Sequence, residues 1–193
     1  MSRLAAIGGA ALALCACSGA PAAPPQDSSG WNQRFPSSGL SIVEGPGDEP
    51  THVTLAPNSA LVDGVLDASA GIDIGRGPSL AGDMASRELG AQLADPTTIV
   101  NLLCVRVDRA LPPSVAAGCT WAAYASEDNV AWRAVLTGPV HFAPLQDRFE
   151  IYIQGTQARY LKVVTQPLAP GVTTDPTYND VFVTELTFFS VTH

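Results

Sequence analysis

The chain has 193 residues, with 18 acidic side chains against 10 basic ones and a formal net charge of −8. Hydrophobic residues make up 46% and charged residues 15%, which excludes a wholly disordered protein and supports one domain with a buried core. The acidic balance excludes a neutraliser of phosphate backbones, so nucleic acid is not an expected partner.

Residues 1–16 read as an export signal, with Arg3 as the positive region and no charge over residues 4–14. That run is too short for a transmembrane helix, which takes about 20 residues. It ends in Leu14-Cys15-Ala16-Cys17-Ser18, which resembles a bacterial lipobox. The small Ala16 before Cys17 makes Cys17 the expected lipidated residue. The resemblance implies a lipoprotein held in the cell envelope by its acyl chains alone, and Ser18 points to the outer membrane of a Gram-negative bacterium. Residues 17–50 hold Pro21, Pro24, Pro25, Pro36, Pro46 and Pro50 among Ser, Gly and Ala, a composition expected to form a semi-extended tether. Whether residues 39–43 add a first strand is left open by composition.

The expected domain, residues 51–193, is a run of short strands at 53–55, 99–107, 120–125, 131–136, 149–153, 160–164 and 181–189. In 148–154, Phe149, Ile151 and Ile153 alternate with Arg148, Glu150, Tyr152 and Gln154, the period of a half-buried strand. One helix is predicted over 83–93, with Ala85, Leu89 and Leu93 four apart behind an Asp83 cap. Pro- and Gly-bearing turns between the strands point to an all-β antiparallel β-sandwich or jelly roll. In an exported protein, Cys104 and Cys119 are expected to be joined as a disulfide across two neighbouring strands. Zinc is not expected, because these thiols and His52, His141 and His193 show no ligand spacing.

The segment Trp121-x-x-Tyr124-x-Ser126-x-Asp128-x-x-x-Trp132 resembles the core of discoidin-type domains, also called F5/8 type C or galactose-binding-like jelly rolls. Ala158-Arg159-Tyr160 resembles a further strand of that family, and 184–189, with Glu185, its closing strand. Asp63-Gly64 resembles the loop near its start, so the resemblance covers about residues 52–191. It implies a jelly roll in which these residues mostly build the scaffold; read by themselves, Trp121 and Trp132 are expected in the core or at strand ends, 126–129 as a turn by composition, and Arg159 as a paired, partly buried charge. The chain departs from the pattern after Gly64, where the usual aromatic is missing and the region up to Asp95 reads as an enlarged loop.

Asp63, Asp67, Ser69 and Asp73 offer hard oxygen donors of the type calcium prefers, set in a glycine-bearing loop. The resemblance adds Glu185, since relatives hold a structural calcium between this loop and the closing-strand glutamate. The competing reading is a solvated acidic loop. Sugar sites combine an aromatic face with a few planar polar groups, and the loop residues of those types are His141, Phe142, Arg148, Tyr178 and Asn179. No nucleophile elbow and no dinucleotide fingerprint is present, so no catalytic residue is expected. The expected function is non-catalytic recognition of a glycan or polysaccharide, as in adhesion. The alternative is an assembly module that docks another envelope protein and takes no sugar.

Overall fold

The computed structural model describes residues 30–43, 54–65, 71–75, 86–166, 168, 172 and 174–191. Along the chain lie β1 (Trp31–Arg34), β2 (Pro36–Val43), β3 (Ala56–Pro57), β4 (Ile72–Asp73), β5 (Arg87–Leu93) and β6 (Val100–Val107). A single helical turn, α1 (Pro113–Ala116), precedes β7 (Trp121–Ser126), β8 (Arg133–Ala134), β9 (Leu136–Ala143), β10 (Arg148–Thr156), β11 (Tyr160–Thr165) and β12 (Phe182–Val191). One sheet runs β1-β12-β6-β10-β9 with β4 also on β12, and the other runs β3-β2-β5-β11-β7-β8. Every pairing is antiparallel, so the expected all-β sandwich is the architecture observed.

The core lies between the sheets and follows the two-residue period. Leu103, Val105 and Val107 of β6 meet Leu89, Ala91 and Leu93 of β5, with Phe149, Ile151 and Ile153 of β10 beside them. Burying each large side chain of this kind is worth about 1.5–3 kcal/mol. At Val135 the chain changes sheets. Its N–H donates to Ala123 of β7, while its carbonyl accepts from Gln154 of β10. The predicted strand 131–136 is therefore cut into β8 and the start of β9.

The fold also corrects the predicted helix, the length of the tether and the disulfide. The predicted helix 83–93 is, over its described part, strand β5; residues 83–85 lie outside the described residues. Leu89 and Leu93 are four apart, an even spacing that suits a strand as well as a helix, and Ala91 between them is also buried. The tether expected to run to residue 50 ends earlier, because β1 and β2 belong to the two sheets. The Pro-, Ser- and Gly-rich composition hid these strands: β1 lies at a sheet edge, and Pro36 is the first residue of β2, a position where proline is tolerated. Finally, Cys104 and Cys119 are free thiols. β6 and β7 lie in opposite sheets, and Cys104 faces outward beside Glu150 and Thr187. Cys119 ends the α1 turn, its thiol donating to the Val115 carbonyl at 3.7 Å.

Candidate functional site

Where β6 runs out, residues 108–120 fold over the end of the β9–β10 hairpin. Val115 and Leu111, at 1% and 4% exposure, anchor this loop to the core. Between loop and hairpin lies a cavity of about 400 Å³ lined by Leu111, Pro113, Cys119, Val140, His141 and Phe142, among others. An aromatic ladder leads from the core to its wall. Trp121 meets Phe149 with ring centres 5.1 Å apart, and Phe149 meets Phe142 at 4.8 Å. The cavity thus offers an aromatic wall and apolar sides with one imidazole, a surface suited to the C–H face of a sugar ring.

His141 stands in register with Glu150, whose own neighbour on the other side is Cys104. The imidazole Nδ1 is 3.9 Å from Glu150 Oε2, and each atom is buried with no hydrogen-bond partner among the described residues. Glu150 is 1% exposed, although it faces away from the core. It is covered because Arg148 donates Nε at 3.0 Å and Nη2 at 2.7 Å to Oε1, and because the same guanidinium lies 4.8 Å over the Trp31 ring. Trp31 in turn packs on Phe189 with ring centres 5.2 Å apart. Arg148 is therefore the holder of a buried carboxylate, and Trp31 shields it.

His141, Phe142 and Arg148 are thus brought together on the β9–β10 hairpin. Tyr178 and Asn179 are not joined to them by any hydrogen bond, ion pair or ring contact among the described residues. They stand on a helical turn ahead of β12, which is capped by Asp175 accepting from Thr177 N–H and tied to Arg109 through the Thr177 carbonyl. Tyr178 packs against the core. The lining from residues 111–119 was not foreseen, since apolar loop residues carry no pattern. Pro112-Pro113 and Gly118 are the signals of a turn there.

The acidic loop gives a partial set. Gly64, at φ +76°, a conformation suited to glycine, donates its N–H to Glu185 Oε2 at 3.1 Å, which brings Asp63-Gly64 onto the closing strand. Burial, with Asp63 nearby, pushes the Glu185 carboxyl up to about 7, against the lowering effect of the Gly64 hydrogen bond. Asp63 Oδ1 accepts from Val65 N–H at 2.8 Å. Asp73 Oδ1 accepts from Gly75 and Val181, and burial raises its acid in the first place. Asp63 and Glu185 thus set two carboxyls near one another, oxygen donors of the type a hard cation takes. No group of three or more His, Cys, Asp or Glu is gathered for a metal among the described residues. Asp67, Ser69 and Cys17, the residue expected to carry lipid, lie outside the described residues.

The remaining motif residues are scaffold. Trp121 is 8% exposed and Trp132 6%. Ser126, Asp128 and Asn129 form the expected turn, with Asp128 Oδ1 accepting from Val130 and Ala131. Arg159 corrects its expectation: it is exposed, has no ion-pair partner among the described residues, and lies 5.7 Å over the Tyr160 ring. Ala158 is the buried member of that motif. Among the described residues no helix is long and apolar enough to cross a membrane.

No family model matches the chain, and no curated protein matches it. Among solved structures it is similar to one of the CBM32-1, CBM32-2 and M60 catalytic domains of Clostridium perfringens ZmpB. The identity is 15% over 86% of this chain, the TM-score is 0.47, and the chain spans 15% of that structure's length. It is similar to the C-terminal domain of a chitobiase from Bacteroides fragilis at 18% identity, covering 86% of this chain and 97% of that one, TM-score 0.42. A third, CpGH89CBM32-5 from Clostridium perfringens in complex with GalNAc-beta-1,3-galactose, shares 11% identity over 82% of this chain and 100% of its own, TM-score 0.45. The likeness is one of fold.

Proposed function

We propose that this protein is a non-catalytic, lipid-anchored module that recognises a glycan through the cavity at the loop end of its sandwich. The observation that carries the reading is the roughly 400 Å³ cavity with Phe142 in its wall and His141 beside it. The ordered series of discoidin-like motifs supports it, since those residues build the scaffold and leave the loops to set specificity. Attachment would be through Cys17, in the outer membrane of a Gram-negative envelope, with no other membrane contact. Calcium held by Asp63 and Glu185, with Asp67 and Ser69, would fix the loop that meets the closing strand.

The test is an array of glycans and bacterial polysaccharides probed with the full chain in calcium. Saturable binding competed by the free sugar, and weakened about tenfold or more in His141→Ala, supports the reading. Binding unchanged in that variant removes the cavity from it. One feature favours docking to an envelope protein instead: the β9–β10 hairpin leaves Leu145 at its turn 91% exposed and Val140, in the cavity lining, 38% exposed. A folded sample silent on the array but retained by one envelope protein, and released by Leu145→Asp, would favour that second reading.

A further inference from the structure

A second cleft lies at the other end of the sandwich, between the β1–β2 corner and the β5–β6 loop, where β6 begins. Its volume is about 270 Å³, and Gln33, Arg34, Phe35, Leu93, Asp95 and Thr98 are among its lining residues. Phe35 is 68% exposed, yet its backbone is fixed, because its carbonyl accepts from Ala94 N–H at 3.1 Å. Arg34 is half-buried. Its Nε is closed off from solvent with no acceptor, and its guanidinium makes no hydrogen bond or ion pair among the described residues. Such a fork of donors ordinarily finds acceptors, because a buried donor left unmet is costly. Asp95 is held rigid by Thr97 N–H at 2.9 Å, Thr97 Oγ1 at 2.6 Å and Thr98 Oγ1 at 2.8 Å. A carboxylate so held keeps acceptor capacity to spare.

An exposed ring face, a set of donors that meets Asp95 only through the longer-range attraction of opposite charges, and that fixed acceptor share one cleft. We propose that this cleft is a second carbohydrate site, taking the ring of a neutral hexose with its C–H face on Phe35 and its hydroxyls on Arg34 and Asp95. A carboxylate-bearing sugar is disfavoured by Asp95 beside Arg34 and by the net charge of −8. The site does not rest on the His141 cavity. With both sites working, one molecule can bridge two glycan chains, and linked sites gain avidity without new contacts.

The experiment is amide NMR of the full chain, titrated in turn with the methyl glycosides of glucose, galactose and mannose. At least one should move the amides of residues 33–35 and 94–98 saturably. Phe35→Ala, which truncates an exposed ring, should raise that midpoint about tenfold with the rest of the spectrum unchanged. Arg34→Gln should raise it too, and His141→Ala should leave it alone. No movement of these amides with any of the three sugars, or movement indifferent to Phe35→Ala, overturns the proposal. Movement confined to residues 140–149 overturns this site while supporting the loop-end cavity. Movement at 33–35 and 94–98 alone supports this site and counts against that cavity.

Discussion

Lys162 on β11 donates to Glu88 on the neighbouring strand β5, and neither side chain reaches solvent. Lys162 is the chain's only lysine. Its ammonium also lies 4.3 Å from the centre of the Trp132 ring and 5.6 Å from that of Tyr124, so the second motif tryptophan roofs a buried ion pair on the outer face of its sheet. Trp132 clusters there with Leu40 and Leu55.

Removing either partner takes the opposite charge away from a group held out of solvent. Lys162→Met is expected to cost about 3–5 kcal/mol in urea unfolding, whereas Lys162→Met with Glu88→Leu should recover most of that loss. Strictly additive losses in the double variant would contradict the pairing.

Asn129 holds the roof in place. Its Oδ1 accepts from Leu55 N–H at 3.1 Å and its Nδ2 donates to the Leu55 carbonyl at 2.9 Å, from a backbone at φ +61°. Asn129→Ala loses both bonds and strains the left-handed turn, an expected cost of about 2–4 kcal/mol. Asn129→Gly should relieve only the strain, and so should melt between the two.

Glu185 gives stability a pH dependence. Its folded-state acid, pushed up to about 7 from an ordinary 4.5, binds its proton more tightly than the unfolded chain does. This contribution is complete below about pH 4.5 and is lost as pH rises through about 7. In chelator, the melting temperature should fall from pH 5 to pH 8 more steeply for the native chain than for Glu185→Gln. Added calcium should lessen that fall, because a bound cation favours the ionised carboxyl. Equal slopes in the two proteins would refute the assignment.

The two body cysteines should be inert thiols. Burial pushes both Cys104 and Cys119 up to about 12, and the thiolate is the reactive species. Peptide mapping should find both unmodified after brief iodoacetamide treatment of the folded chain, and both alkylated once it is denatured. A peptide linking the two would contradict the fold described above.

Legibility in the sequence followed the range of each cause. β10 was readable because Phe149, Ile151 and Ile153 alternate within one segment, and the Ser126–Asn129 turn because its side chains bond their own backbone. β1 was not, since the partner of Trp31 is Phe189 at the far end of the chain. The cysteine pair failed for a related reason: sequence shows that 104 and 119 lie on or beside strands, but not that those strands lie in opposite sheets. At the site, His141 and Phe142 were visible as residue types in a loop-like stretch. Leu111 and Cys119 came to them only through the folding of residues 108–120, and the role of Arg148 depended on the unforeseen Trp31.

The most direct measurement is affinity electrophoresis of the full chain in native gels cast with soluble bacterial polysaccharides. The loop-end cavity predicts retardation in at least one of them, relieved by its free sugar and much reduced in His141→Ala. Unchanged mobility of the folded chain in every gel would contradict glycan recognition.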